Sequence, residues 1–500
     1  MGNPLYAGLD NSREPQFSRI FAISLLCVVI GGIWNFIPHP IIIVLAGLAP
    51  IAIVGVLYMP FVVCLGFIIF SFFRIHEAFI FLMPFKIPLL LALASLGALG
   101  WHLVITRKIQ PFITPELKWF LVFFALVTLG LLFASNRGMA ISMYTGSYSK
   151  IAIMVFAIAW MVREEKQFAI LANMIVIAGI AIGLVALNNK ANGIGLVEGT
   201  RVTIARDIRS VLGDPNDLAL VLSFPISFAA GLALTTGRSM FVRCLGVVGY
   251  FVIASAIIAT QSRGGLLAIL AVSGVFGLYK IKSKLLLIGL GMIALVGLLA
   301  MAGISDRSSG GAGESGIDES AAGRLYAWQA AFGMANTHPL TGVGLNNFTS
   351  NYFFYSPHWD GMNHAVHSTW FGVLAETGYV GLIVFIILTV KLVSGMRRLV
   401  NNLLPLYQQG KCSAVIFGTA QSVLAGLAGF MVSGTFLTQG FTWPLYILLA
   451  VSVAVTQVGN RILGQVEEAN PDESDAQKAP EQKQSQSTEL VAIKPRGENR

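Results

Sequence analysis

Charge is scarce in this sequence. Of its 500 residues only 11% are charged, whereas 55% are hydrophobic. A soluble globular chain carries roughly 25% charged residues, so the deficit excludes an ordinary water-soluble domain. Cysteine is scarce as well: Cys27 and Cys64 fall inside apolar runs, and Cys244 and Cys412 at their expected cytoplasmic ends. None lies in an expected external loop, so no structural disulfide is expected. No Cys/His spacing suggests zinc, and no metal site or cofactor is expected. The alternation of a membrane β-barrel is missing. Met1 to Ser18 is polar and no Ala-x-Ala site follows the first apolar run, which is therefore expected to remain as a span. The formal net charge of +9 is spread over short loops rather than gathered in a patch. That distribution argues against nucleic acid and for contact with membrane-lipid head groups.

What the sequence does have is repeated apolar runs near the ~20 residues that cross a bilayer as a helix. Their mean hydropathy context is +0.75 over the chain. They predict an all-α, polytopic integral membrane bundle of about 12–14 spans. The runs centre on 20–37, 41–58, 60–74, 88–105, 118–134, 150–163, 168–186, 217–235, 244–262, 264–280, 284–303, 367–393, 413–436 and 442–459. Basic residues recur at every second loop: Arg107-Lys108, Arg163 with Lys166, Arg238 with Arg243, Lys280 to Lys284, and Arg397-Arg398. By the positive-inside rule those loops and both termini face the cytoplasm. Loops 135–149, 187–216 and 304–366 then face outside. The expected organisation is a cytoplasmic N-terminus (1–19), an N-terminal transmembrane region (20–186), a central region (187–393), a C-terminal transmembrane region (394–463) and a disordered cytoplasmic tail (464–500).

Arginines break the pattern on the outer side. They are Arg201, Arg206 and Arg209 in one loop, Arg263 just past a span, and Arg307 and Arg324 in the long loop. Arg263 sits in Thr260-Gln-Ser-Arg263-Gly-Gly265 and fits either a turn with a snorkelling side chain or a guanidinium aimed at a phosphate group. The long loop opens with a low-complexity stretch, Ser308 to Gly316, and Asp318-Glu319-Ser320 then suits a helix start. A helix over 321–336 places Arg324, Trp328 and Phe332 on one face, and Pro339 ends it. Arg324 there fits a structural pairing with Asp318 or Glu319 as well as anion binding.

His364 and His367 stand where the loop meets the next span. Either can be an interfacial residue. A neutral imidazole can also accept a proton at neutral pH, and an arginine nearby would keep it neutral. Asp214-Pro-Asn216-Asp217 opens a span and reads as a turn and N-cap, or as an Asp-x-Asp metal–nucleotide holder, a reading disfavoured on an external face. Glu376 falls inside its span, where a carboxylate should face the bundle interior, paired or protonated.

Taken together, Asn216-Asp217-Leu-Ala, Gln261-Ser-Arg263-Gly-Gly, Gly323-Arg324 with Trp328, Pro339 with Gly342-Val-Gly344, and His367-Ser with Leu374-Ala-Glu376-Thr-Gly378 resemble the O-antigen ligase and polymerase superfamily of bacterial envelope enzymes. They run in that family's order over roughly 200–390. Pro84-Phe-Lys-Ile-Pro88 and Ile113-Thr-Pro-Glu-Leu117 are similar to a subgroup of probable O-glycosylation ligases.

The resemblance implies a GT-C-like bundle in the inner membrane with a large periplasmic loop. It implies metal-independent, inverting transfer of a glycan from undecaprenyl diphosphate to an acceptor hydroxyl, with lipid A–core the leading acceptor. A growing glycan or a protein hydroxyl are alternatives. By motif position His367 is similar to the base, and Arg263 and Arg324 to the arginines that engage the diphosphate. Arg201, Arg206, Arg209, Trp328, His364, Asn216, Asp217 and Glu376 are then candidates to line the substrate site. Many relatives have His-Asn where this chain has His367-Ser368. A transporter or flippase of lipid-linked glycans is the alternative of another class, and would be expected to show inverted repeats that the sequence does not display.

Overall fold

In lipid, backbone N–H and C=O groups must be satisfied within the segment that carries them, and the chain does this with helices almost throughout. The computed structural model describes residues 28, 40–208, 210–302, 319–359 and 361–469. Among them there is no strand, only an isolated bridge between Val197 and Arg201. The chain divides at Pro60. The first unit is described chiefly by one apolar helix, α1 (Pro40–Tyr58).

From Pro60 onward the helices are α2 (Pro60–Phe72), α3 (Ile75–Ala78), α4 (Ile87–Gly100), α5 (Pro115–Gly130), α6 (Arg137–Met143), α7 (Ser149–Met161), α8 (Glu165–Asn192) and α9 (Pro215–Leu234). They continue as α10 (Met240–Ala259), α11 (Arg263–Lys280), α12 (Lys284–Met301), α13 (Glu319–Thr337), α14 (Phe348–Tyr355), α15 (Thr369–Gln408), α16 (Ala414–Gly434) and α17 (Trp443–Ala469). Among the described residues, 10 helices are long and apolar enough to cross a membrane, or up to 11 if α1 and α2 count as one broken span. The chain is thus an all-α polytopic membrane bundle.

Several boundaries differ from the sequence expectation. The stretch 135–149, expected as an external loop, is helical: α6 passes through a π turn, Tyr144–Tyr148, into α7. Its polar residues lower the hydropathy, but Thr145 returns its hydroxyl to the Ile141 carbonyl at 2.8 Å, so the polarity is absorbed within the helix. The 187–216 loop begins only at Gly193, whose left-handed backbone caps α8. The runs 41–58 and 60–74 pass as a span only together, and α5, at 16 residues, is short for a full crossing. At the far end α17 continues past Gly464 to Ala469. The expected span 20–37 (save Val28), Cys27, Arg209, Arg307, the 308–316 stretch, Asp318 and the tail from 470 lie outside the described residues.

Helix α9 is the core of the bundle. It packs against α8, α10, α11 and α16, and every residue from Leu218 to Leu232 is buried. Small residues permit this closeness, as expected where helices pack in lipid. A Cβ at Gly246 of α10 would stand 2.4 Å from the Ala233 nitrogen. By contrast α12 buries none of its residues and presents Leu285, Ile288, Ile293 and Val296 outward. A second, smaller core lies beside α15. Ala327, Ala330, Ala331 and Met334 form one stripe of α13 and meet Val343, Phe348, Tyr352, Val366 and Ala375. That core carries the polar segments toward the start of α15.

Candidate functional site

Trp328 sets the position of α13. Its ring stacks on Phe371 at 4.8 Å and its indole N–H donates to the Val366 carbonyl at 3.2 Å. Phe332, one turn on, meets the same Phe371 edge at 5.3 Å. One helix face is thus locked to α15, and Arg324, one turn before Trp328, is held on the His367 side of the contact. His367 follows Val366 directly and adopts φ 46°, the left-handed region. For a non-glycine residue that conformation costs on the order of 1–3 kcal/mol and persists only where surrounding structure enforces it. The Trp328–Val366 bond on one side and the start of α15 on the other supply that enforcement.

Burial, then the positive charge of Arg324, hold the His367 imidazole below its ordinary value. Asp214 pulls the other way, and His364 adds a smaller downward push. The ring is therefore neutral near pH 7 and able to accept a proton. Among the described residues no protein group bonds to it. His364 instead packs edge-on against Tyr352 at 5.4 Å.

The first turn of α15 is tied to the α16–α17 connection. Thr369 donates to the Leu437 carbonyl at 2.7 Å and accepts from the Gln439 backbone at 3.2 Å. The Trp370 indole donates to the Thr435 hydroxyl at 3.1 Å. Gln439 is buried, and its amide donates to Asp217 at 2.8 Å. Asp217 lies in the first turn of α9, which Asp214 caps by accepting from Asn216 and Asp217 N–H groups at 2.7 and 3.1 Å. One chain of bonds therefore links α9, the 435–442 connection and the segment that carries His367. Gly264, beside Arg263 at the start of α11, lies against Phe436 of the same connection and Ser433 at the end of α16. Arg263 itself is exposed there.

Arg201 is buried and turned inward. It donates to the Thr260 carbonyl at 3.2 Å and to the Asn216 amide oxygen at 3.0 Å, with Glu198 3.6 Å away. It joins the turn before Arg263 to the start of α9. Arg206 is exposed, with only a long 3.5 Å contact to the Gly213 carbonyl.

Glu376 accepts from the Asn346 N–H at 2.8 Å and the Phe348 N–H at 3.4 Å, so both its oxygens hold the segment entering α14. The Val343 N–H donates to the Ala375 carbonyl and the Tyr379 N–H to the Pro339 carbonyl. This fit needs glycine on both sides. A Cβ at Gly342 would come within 2.4 Å of the Ala375 oxygen, and one at Gly378 (φ 69°) within 2.5 Å of the Pro339 oxygen. On its other flank the segment is held by Asn347, which accepts from the Asn136 N–H at 2.9 Å and the Ser135 hydroxyl at 3.1 Å.

The structure thus gathers His367, His364, Arg324, Trp328, Asp214, Asn216 and Asp217 around the start of α15, with Arg263 across the 435–442 connection. Trp328, Asp214, Asn216 and Asp217 make hydrogen bonds within the protein, as do Arg201 and Glu376. Gln439, Thr369, Asn136 and Asn347 escaped the sequence reading; the polar run Thr438-Gln-Gly-Phe-Thr442 between two apolar spans was the available signal. Among the described residues no three His, Cys, Asp or Glu side chains are grouped to hold a metal ion.

No curated protein matches this chain. The matched family segment runs from the middle of α10 into α15 and takes in Arg263, Arg324, His367 and Glu376, leaving Arg201, Asp217 and Gln439 outside it. Residues 248–386 match the family model described as O-antigen ligase, and it is this part of the chain that is similar to the O-antigen ligase family.

Proposed function

We infer that the chain is a membrane glycosyltransferase that moves a glycan from undecaprenyl diphosphate to an acceptor hydroxyl on the periplasmic face of the inner membrane. Lipid A–core is the acceptor put forward. The observation that carries this reading is His367: a neutral imidazole in a strained backbone setting, beside Arg324 and at the mouth of a helix anchored to three other elements. In the reaction His367 accepts the proton of the acceptor hydroxyl as its oxygen bonds to the anomeric carbon. The bond from that carbon to the diphosphate oxygen breaks, and the leaving group departs as undecaprenyl diphosphate. Attack opposite the leaving group inverts the anomeric centre. Arg324 and Arg263 meet the negative charge that develops on the diphosphate, where fixed cations act most strongly. Arg201 and Gln439 hold the surrounding segments in register, and Glu376 holds the loop that backs α13.

The test is transfer in purified components. Wild-type protein in vesicles should pass the glycan to lipid A–core and release undecaprenyl diphosphate, and His367→Ala should not. Transfer to a growing glycan or to a protein hydroxyl instead would reassign the acceptor. Movement of the intact donor between leaflets without transfer to any hydroxyl would replace the enzyme by a transporter.

A further inference from the structure

A polar cavity lies at the other end of the bundle. It has a volume of about 190 Å³ and is lined by Arg163, Arg461, Gln110 and Gln457, with Phe112 and Ala454 among its apolar walls. Arg461 stands 18 residues along α17 from Trp443, which adjoins the 435–442 connection. At about 1.5 Å per residue that is roughly 27 Å, close to the ~30 Å thickness of bilayer hydrocarbon. The cavity and the His367 region therefore occupy opposite membrane faces.

Its frame is rigid. The Trp160 indole donates to the Phe112 carbonyl at 2.9 Å, and Arg163 donates to the carbonyls of Trp160 and Gln110 at 2.6 and 2.7 Å. Trp160 is the kind of residue that marks a membrane–water boundary. Two guanidinium groups face one space, and burial and then the charge of Arg461 hold Arg163 below its usual value. Among the described residues no carboxylate stands within ion-pair distance of either. Of the two acids that follow Arg163 in sequence, Glu164 is engaged in the cap of α8 and Glu165 acts on Arg238. Like charges brought together around a cavity with no protein counter-charge favour an anion between them, and guanidinium forks match phosphate oxygens.

We propose that this cavity binds a single phosphate group, as the head group of an anionic phospholipid in the leaflet facing it or as a free phosphate. The volume equals about six waters at ~30 Å³ each, enough for one phosphate and a small polar substituent. The glutamine amides suit the hydroxyls of a glycerol head group, and Phe112 and Ala454 the carbons beside it. A glycan diphosphate is too large, which separates this site from the one at His367.

The experiment uses the full chain in nanodiscs of phosphatidylcholine, with and without phosphatidylglycerol, and with added inorganic phosphate. Thermal unfolding and native mass spectrometry of retained lipid are the readouts. Wild type should retain phosphatidylglycerol and unfold at higher temperature with it. Arg461 is exposed and has no hydrogen bond to a protein group among the described residues, so Arg461→Gln should match wild type in stability in phosphatidylcholine while its affinity for phosphatidylglycerol falls about tenfold or more. Arg461→Glu sets a carboxylate opposite Arg163; it should unfold at higher temperature in phosphatidylcholine and lose the lipid response. Lys282→Gln with Lys284→Gln, exposed on the same face, should leave retention unchanged. A shift with inorganic phosphate and none with phosphatidylglycerol keeps the site and identifies the source as soluble. Wild-type retention by Arg461→Gln, equal loss in the lysine variant, or no response to either ligand overturns the proposal.

Discussion

Glu376 and His367 stand on the same helix-bearing segment, nine positions apart in the chain, and both carry a polar group into a largely apolar bundle. They differ in what receives it. Both oxygens of Glu376 are taken by backbone N–H groups that would otherwise be orphaned at the entry to α14. The His367 ring is bonded by no described protein group, yet its backbone is held in the left-handed region. A buried polar group whose partners are all within the protein holds structure together. One that is positioned at an energetic cost and left facing other charges is available for chemistry. Arg201, bonded to Thr260 and Asn216, stands with Glu376 on the holding side of that division.

The sharpest way to break this comparison is to remove the two histidines one at a time. His367→Ala should lower transfer by about 10²–10⁴, the usual value of a general base, and His364→Ala should keep most of the activity. The pH profile gives an independent reading. Only the neutral ring accepts a proton, and the ring's affinity for protons is held down in the folded protein. The rate should therefore stay high through pH 7 and decline only as pH falls below the ordinary imidazole range near ~6.5. A dead His364→Ala beside an active His367→Ala would reverse the assignment, and a flat profile with both variants active would remove the histidine base altogether.

Arg263→Ala and Arg324→Ala come next. Loss of one charge-assisted bond is worth about 1.5–3 kcal/mol, so each variant should transfer roughly ten- to a hundredfold more slowly while inserting and accumulating normally. Lysine should restore little, because it lacks the planar fork. Near-wild-type rates from both alanine variants, measured on the purified protein, would reduce these arginines to membrane topology.

The membrane class and most span positions were legible because apolar runs of helical length have few alternatives in lipid. The exception at 135–149 has a physical cause: hydropathy counts Ser142, Thr145 and Ser147 as polar, whereas a helix can absorb hydroxyls through its own carbonyls, as Thr145 does. The ordered motifs were legible as a set, but not the division of labour within it. Arg201 and Arg263 look alike in sequence; only the chain's return at Thr260 decides that one is bonded inward. Gln439 was invisible for the same reason, since its partner Asp217 lies over 200 positions earlier.

Glu376 tests the holding side of the comparison. Glu376→Ala strips acceptors from the Asn346 and Phe348 N–H groups, at about 1–3 kcal/mol. It should lower the unfolding temperature and speed proteolysis in the 340–355 segment, with activity falling in step. Glu376→Gln keeps one acceptor oxygen and should lose less of both. If Glu376→Gln unfolds as wild type does and yet fails to transfer, the carboxylate touches substrate and the division drawn here collapses at that residue.

Ser368 should give the smallest effect and the finest distinction. Its side chain is fully buried beside His367, and its hydroxyl neither caps α15 nor finds any other partner among the described residues. Leaving a buried hydroxyl unpaired costs about 1–3 kcal/mol, and replacing it by an apolar group of similar shape is neutral or stabilising. Ser368→Ala should therefore unfold at the same or a slightly higher temperature. Transfer then separates two roles. An unchanged rate makes the hydroxyl a tolerated defect at a position where the helix start only needs a small side chain. A raised unfolding temperature together with a rate several-fold lower would mean that the hydroxyl waits for a partner supplied by substrate. Ser368 would then join His367 among the groups that the fold positions but does not itself satisfy.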